Sequence, residues 1–247
     1  MYSKEEIKEK SFSMPFFNPT YPRGPFRFID REYLIITYET DREALEKIVP
    51  YPLKIEQPVV KYEFIRMPNS SGFGDYTESG QVIPVTFNGK KGAYVHCMYL
   101  DSEKPIAAGR EIWGFPKTFG YPSLKVDSDV LIGELFYQSS CVAQGTMVFK
   151  EEKADIKKLQ KDLEEEENFL LKIIPDADGS VRICELISYQ LKDINIKEAW
   201  KGKGELNLFH HVMAPVSHLP VKKVLSSLHF RADLTLPYGK IVFDYLR

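Results

Sequence analysis

Short segments in which apolar and polar residues alternate recur along most of this chain, and they constrain its fold more than any other feature. The clearest runs from Val59 to Ile65, where Lys61 and Glu63 face one way and the apolar residues between them face the other. Such alternation is typical of a half-buried strand. No strand–helix–strand repeat runs through the sequence, which disfavours a parallel α/β fold.

The strands are expected to pair in sequence order. Asn88-Gly89, a dipeptide typical of tight turns, separates the strand-like segments Ile83–Phe87 and Gly92–Leu100 and predicts a hairpin. Val130–Tyr137 and Cys141–Lys150 suggest a second pair. We therefore predict one domain over residues 1–247, mainly β, an antiparallel barrel or sandwich with a few peripheral helices.

Only a few segments have helical patterns. Ser3 with Glu6, and Thr40 with Glu43, form capping-box patterns that predict two short helices. Glu151–Glu167 is a charged segment with one narrow apolar stripe, which predicts a helix on the outside of the sheet. A further short helix is expected at Pro220–Leu225.

Composition excludes several classes of function. Thirty-three basic and 35 acidic residues give a net charge of −2, which offers no basic surface for nucleic acid. The first ten residues lack the apolar core of a signal peptide, and no apolar stretch is long enough to span a bilayer. Three widely spaced cysteines argue against a disulfide framework. We expect a cytoplasmic protein that needs no membrane.

No metal or cofactor motif is present. The phosphate-binding glycine loops are missing, and His210-His211 is the only histidine pair. Adjacent residues on a strand point to opposite faces, so these two imidazoles are poorly placed to share a metal. We expect neither a metal nor a cofactor.

One segment, Glu111–Pro122, places a single lysine, Lys117, among four aromatic residues and two prolines. Burial in apolar surroundings lowers the pKa of a lysine, and a neutral lysine is a nucleophile toward carbonyl carbon. The composition alone also allows Lys117 to lay its stem on the aromatic rings and keep its ammonium in water.

Two further candidates carry charge. Glu78 lies in the glycine-bracketed segment Gly72–Gln81, which suggests a tight loop that either approaches a ligand or is simply exposed. Arg31 follows a proline-rich stretch and can hold a substrate carboxylate bidentately, or pair with Asp30 or Glu32 at the surface.

At these residues the sequence resembles the acetoacetate decarboxylase family. The resemblance extends from Tyr21-Pro22-Arg23-Gly24-Pro25 to Phe243-Asp244-Tyr245-Leu246. Blocks that carry it include Asp30-Arg31-Glu32-Tyr33, Tyr76-Thr77-Glu78-Ser79-Gly80-Gln81, Pro84-Val85-Thr86-Phe87-Asn88-Gly89, Gly109-Arg110-Glu111 and Phe115-Pro116-Lys117. Any one block is weak evidence, whereas so many in order are hard to obtain by chance.

The resemblance implies a cone-like β-barrel that holds the active site inside, and a homo-oligomer. It implies that Lys117 forms a Schiff base, that Arg31 faces the substrate carboxylate, and that Glu63 and Glu78 are the nearby acidic pair. We also expect Phe115 and Trp113 to contact a small β-keto acid substrate. Glu63 shares a strand face with Lys61, so a structural ion pair between them stays open.

One position departs from the family pattern. In well-known members a second lysine follows the Schiff-base lysine, and here Thr118 stands there. Desolvation by Trp113, Phe115, Phe119 and Tyr121 would then have to lower the pKa of Lys117. Two other functions stay open: a Schiff-base lyase or aldolase-type enzyme acting on a larger keto acid, and a non-enzymatic barrel that binds a small ligand.

Overall fold

The computed structural model describes all 247 residues, in fifteen strands and four α-helices. The first strands are β1 (Phe26–Glu39), β2 (Val59–Ser70), β3 (Gly74–Phe87), β4 (Lys90–Leu100), β5 (Lys117–Phe119), β6 (Tyr121–Asp127), β7 (Val130–Tyr137) and β8 (Ser140–Val148). The remaining strands are β9 (Glu152–Lys153), β10 (Glu167–Pro175), β11 (Val181–Tyr189), β12 (Lys192–Lys201), β13 (Gly204–Leu208), β14 (Lys223–Leu236) and β15 (Lys240–Asp244). The helices are α1 (Lys4–Lys10), α2 (Arg42–Glu46), α3 (Glu103–Ala108) and α4 (Ile156–Glu165).

The strands form two sheets. The large one has eleven strands, in the order β15-β11-β10-β4-β3-β2-β1-β14-β12-β9, with β5 attached to β4. The small one has the order β13-β8-β7-β6. The prediction of a mainly β fold with few peripheral helices is confirmed, although β15 and β9 end the large sheet, which is therefore not a closed barrel. Nor is it wholly antiparallel, because β4 pairs in parallel with both β10 and β5.

Local sequence explains several of these elements. Asn88 and Gly89 both have positive φ, 49° and 76°, as the tight turn between β3 and β4 requires, so the predicted hairpin is confirmed. The Ser3–Glu6 capping box is also present at the start of α1. No helix of the structure is long and apolar enough to cross a membrane.

Other local predictions were correct in part or wrong. The helix predicted at Thr40–Glu43 is present as α2, but its N-cap is Asp41, whose side chain makes no capping hydrogen bond. The charged helix is also present, but it begins only at Ile156, after the short strand β9. Pro220–Leu225 is not helical, because β14 already begins at Lys223 and pairs with β1.

The large sheet has a different core on each face. On one face the small sheet packs closely, and Phe64 lies where a Cβ on Gly133 or Gly145 would come within 2.3 and 2.6 Å of its ring. The glycines therefore let the two sheets approach. The opposite face carries the second apolar cluster, which includes Trp113 and Phe115 and surrounds a cavity.

Candidate active site

The cavity has a volume of about 90 Å³ and is lined by twenty residues, thirteen of them hydrophobic. Since one water needs roughly 10–15 Å³ in this measure, the space corresponds to about six to nine waters and suits a small molecule. The other seven lining residues are Arg31, Lys61, Glu63, Glu78, Lys117, Glu166 and Asn168, and three of the hydrophobic residues, Tyr33, Tyr76 and Tyr189, also carry hydroxyl groups.

A bulge turns Arg31 into this cavity. Between Phe28 and Arg31 strand β1 has one more residue than its partner β14, and Asp30 adopts a positive φ of 56°. Phe28 and Arg31 therefore both line the cavity although three positions separate them. Asp30 instead bonds Lys197 outside the cavity, at 2.8 Å.

The Arg31 guanidinium has no carboxylate partner within salt-bridge distance. The surface pairing left open by the sequence does not form, because Glu32 bonds His229 at 2.7 Å and Asp30 is engaged elsewhere. The guanidinium lies 4.9 Å from the ring of Tyr33, and its Nε is buried without a hydrogen-bond partner. A buried donor left unpaired is costly, so the group is suited to an anion brought in by a ligand.

Lys117 is positioned by a compact turn. After α3 the chain forms a π-helical turn, Gly109–Trp113, and Gly114 reverses it in the left-handed region at φ 84°. Phe115 and Gly114 both donate backbone hydrogen bonds to the Gly109 carbonyl. Such π-turns often occur at functional sites. A Cβ on Gly109 would lie 2.7 Å from Cδ of Lys117, so this glycine makes room for the lysine stem.

Lys117 and Glu78 form the only ion pair of the structure in which both side chains are buried. The Lys117 side chain is 7% exposed and that of Glu78 is 3%, and Nζ donates to Oε1 at 2.6 Å. The predicted tight loop around Glu78 was wrong: the residue lies in the middle of β3, opposite Ile65 of β2.

The surroundings of the pair favour the neutral form of the amine more than water does. Burial lowers the pKa of Lys117, the Glu78 carboxylate opposes this effect, and the Arg31 guanidinium lowers the pKa further. The result is a pKa below the ordinary value for lysine. The aromatic rings nearest to Nζ belong to Phe115, at 5.0 Å, and Tyr76, at 5.9 Å.

Thr118 lies outside the site. It follows Lys117 on the short strand β5, and because successive strand residues point to opposite faces its side chain is exposed while that of Lys117 is buried. A cation at position 118 would thus point away from the amine, whereas Arg31 supplies the like charge from within the cavity.

Glu63 lines the same cavity, and burial raises its pKa to about 7. The ion pair with Lys61 that the sequence left open does not form, because Lys61 Nζ bonds Glu166 at 2.6 Å instead. Glu63 is therefore a carboxyl group that can hold or release a proton near neutral pH.

The aromatic residues around Lys117 divide into two groups. Phe115 lines the cavity, but Trp113 does not: it is buried behind the wall, stacked on Tyr238, and its indole donates to the Pro237 carbonyl at 2.9 Å. Phe119 and Tyr121 are exposed, at 40% and 49%. The expectation that all four desolvate the lysine was wrong for the last two.

Sequence reasoning missed several lining residues. Tyr33 and Tyr76 lie on the inward face of their strands, and the alternation of β1 and β3 would have revealed both once Arg31 and Glu78 were assigned to that face. Tyr189 and Asn168 carry no such signal, because they come from β11 and β10 across the cavity. No group of three or more His, Cys, Asp or Glu side chains could hold a metal ion.

Taken together, the cavity offers a buried amine of lowered pKa, a carboxylate bonded to it, an unpaired guanidinium and a second carboxyl that titrates near pH 7. A model of the family described as "Acetoacetate decarboxylase (ADC)" matches residues 13–246. The chain belongs to the acetoacetate decarboxylase family.

Individual members of this family are similar over nearly the whole chain. Acetoacetate decarboxylase 1 of Bradyrhizobium diazoefficiens is 56% identical over 242 residues, which cover 98% of this chain and 96% of the relative. The acetoacetate decarboxylase of Acidiphilium cryptum is 56% identical over 240 residues, covering 97% and 98%.

Solved structures agree with this assignment. The crystal structure of the acetoacetate decarboxylase from Legionella pneumophila has a TM-score of 0.92 and 49% identity, and the match covers 100% of this chain and 99% of that one. An enduracididine biosynthesis enzyme complexed with pyruvate has a TM-score of 0.79 at 17% identity, covering 95% and 98%, which shows a shared fold alone.

Proposed function

We propose that this protein decarboxylates acetoacetate to acetone and CO₂ through a Schiff base on Lys117, without a cofactor. The observation that carries the proposal is the buried Lys117 amine, held 2.6 Å from Glu78 in a cavity that also contains the unpaired Arg31. The names and near full-length similarity of the relatives support the same substrate.

The reaction begins with the neutral amine of Lys117. Its nitrogen attacks the ketone carbon of acetoacetate, and loss of water gives an iminium ion. The bond to the carboxylate carbon then breaks, CO₂ leaves, and the electron pair moves to the iminium nitrogen to give an enamine. Protonation of the enamine carbon and addition of water release acetone and regenerate the amine.

Arg31 positions the carboxylate in this scheme. A bidentate contact would fix the substrate so that the carbon–carbon bond to the carboxylate is perpendicular to the plane of the iminium group. Because thirteen of the twenty lining residues are hydrophobic, the carboxylate loses most of its hydration on binding, while the departing CO₂ is neutral.

The two carboxyl groups handle protons. Glu78 is bonded to the amine and is placed to take a proton as the carbinolamine forms and to return it as water leaves. Glu63, whose pKa lies near 7, is the second group that can exchange protons with the cavity. Both are assigned as proton carriers, and Phe115 as an apolar substrate contact.

Borohydride reduction in the presence of acetoacetate or acetone, followed by peptide mass mapping, tests the proposal. Reduction of the iminium should leave an isopropyl group on Lys117. Lys172 is a matched control, because burial lowers its pKa as well. It does not line the cavity, and its amine donates a hydrogen bond to the Ile112 carbonyl. An adduct on Lys172 rather than Lys117, or full decarboxylation by Lys117→Arg, would contradict the mechanism.

We also propose that the enzyme is a cytoplasmic homo-oligomer. Met14, Phe17, Val212 and Met213 are 63–90% exposed, and these large apolar side chains are the ones we assign to a contact between subunits. The three cysteines are free, as is usual in a reducing compartment. Light scattering after gel filtration measures the assembly, and cell fractionation measures the location.

A further inference from the structure

The ion pair between Lys61 and Glu166 separates two cavities. One is the catalytic cavity, and the other is an outer polar cavity of about 460 Å³. Lys61 and Glu166 are the only residues that line both. Their side chains are 27% and 26% exposed, and Nζ donates to Oε1 at 2.6 Å. The two cavities therefore adjoin at this pair.

Lys61 occupies the mouth end of the strand face that carries the catalytic groups. It lies opposite Val82 of β3. Glu78 lies opposite Ile65, which is four residues further along β2. At about 3.3 Å per residue, Lys61 and Ile65 lie roughly 13 Å apart along the backbone of β2. Glu63 lies between, with its charge felt by both Lys61 and Arg31.

Glu166 lies at the junction between helix α4 and strand β10. The helix ends at Glu165, has no fully buried residue and contacts the core through Leu159 and Leu163, whereas Glu167 begins β10 and pairs with Gly92 of β4. Leu163 also lines the catalytic cavity. Because the Glu166 side chain is 26% exposed, its carboxylate can leave Lys61 by rotation of the side chain while the backbone of the sheet stays in place.

Lys61 is the cationic residue best placed to bind an anion between the two cavities. The outer cavity is lined by four carboxylates, those of Glu56, Asp162, Glu165 and Glu166. Only Lys61 and Lys91 oppose them, and Lys91 does not reach the inner cavity. Burial disfavours the charge of Lys61, but Glu166 holds its pKa above the usual value, so the residue stays cationic.

We propose that Lys61 is an anion-binding residue at the mouth of the catalytic cavity, where the carboxylate of an incoming β-keto acid replaces Glu166 before it passes to Arg31. The inference rests on the proposed function and adds the site that admits the substrate. It makes Glu166 a competitor of the substrate, since both are carboxylates that bind the same ammonium. Lys61 and Glu166 then act with opposite signs on substrate capture.

Steady-state decarboxylation of acetoacetate by Lys61→Met, Lys61→Arg and Glu166→Gln tests this assignment. Lys61→Met should lower kcat/KM about tenfold through KM, and Lys61→Arg should restore most of it. Glu166→Gln should raise kcat/KM severalfold. Lys90→Met removes the same charge from the exposed turn of the nearby hairpin and should match the wild type.

A neutral ketone distinguishes loss of the Lys61 charge from a structural effect of the substitution. The rate at which borohydride traps acetone on Lys117 should be the same in Lys61→Met and in the wild type, because acetone has no carboxylate. If Lys61→Met and Glu166→Gln change kcat/KM in the same direction, or if acetone trapping falls together with acetoacetate turnover, the pair is only a structural anchor and the inference is wrong. Failure of the wild type to trap acetone on Lys117 would instead remove the proposed function, and the inference with it.

Discussion

Replacing Gly109 by alanine offers a direct test of how the nucleophile is positioned. The added Cβ would lie 2.7 Å from Cδ and 3.1 Å from Cε of Lys117. Carbon atoms in contact prefer about 3.5–4.0 Å, so the lysine stem must move by roughly 1 Å. A misplacement of this size can reduce the rate about 100-fold, which is the loss we expect in kcat/KM.

The same substitution should change stability little. Gly109 has φ −61° and ψ −46°, a right-handed conformation that alanine adopts readily and that favours the variant by about 0.4–1 kcal/mol. Overpacking costs about 1–3 kcal/mol, so the free energy of unfolding should fall by no more than about 2.6 kcal/mol.

Three measurements check this prediction: CO₂ release, borohydride trapping on Lys117, and urea denaturation. Gly120→Ala is a suitable control, because its nearest contacts are Tyr99 Cβ at 3.1 Å and Leu135 Cδ1 at 3.3 Å, neither of them a group assigned to catalysis. A folded Gly109→Ala variant that keeps activity within about threefold of the wild type would refute the argument that steric access controls the amine.

Three further substitutions test the charges of the site. Arg31→Gln removes the cation that lowers the pKa of Lys117, so the acidic limb of the pH–rate profile should move to higher pH. We also expect kcat/KM to fall about 100-fold, because the substrate carboxylate loses its partner. An acidic limb that does not move would contradict the effect of Arg31 on the pKa of Lys117. Thr118→Lys adds a cation on the opposite face of β5 and should leave that limb unchanged, which the same profile measures. Glu63→Gln should gain about 3 kcal/mol of stability relative to the wild type as pH rises from about 4.5 to about 7, because the folded wild type holds that proton more tightly than the unfolded chain does. Urea titrations of both proteins at pH 4 and pH 8 measure this gain, and a stability difference between them that is the same at both pH values would contradict the burial of Glu63.

Alternation and turn chemistry predicted much of the fold. The face shared by Lys61 and Glu63 and the hairpin at Asn88-Gly89 follow from period-two patterning and from the positive φ of the turn. These signals are local, so a single sequence carries them. The strand that contains Glu78 was mistaken for a loop because Gly80 interrupts it. That glycine is required because a Cβ there would lie 2.2 Å from the Cys97 carbonyl oxygen.

The candidate site could be predicted only in part. Composition alone favours a Lys117 that keeps its ammonium in water, and the family resemblance assigned its role. Nothing in the sequence distinguishes Trp113 from Phe115, which are equally apolar. The π-helical turn and the left-handed Gly114 decide which ring reaches the cavity. The pairing of Lys61 with Glu166 is a contact between distant segments, and alternation carries no information about it.

The bulge in β1 has a consequence for how this site can change. It shifts the alternation of inward and outward residues, so that Phe28 and Arg31 face the same side. Strand β4 has a similar irregularity, in which the extra residue His96 lets both Val95 and Met98 line the cavity. A point substitution changes the side chain at an inward position, but it does not change which positions point inward. Removal of a single residue near Asp30 would reverse the alternation and turn the guanidinium outward, so the spacing of the chain here is as much a part of the active site as the residues themselves.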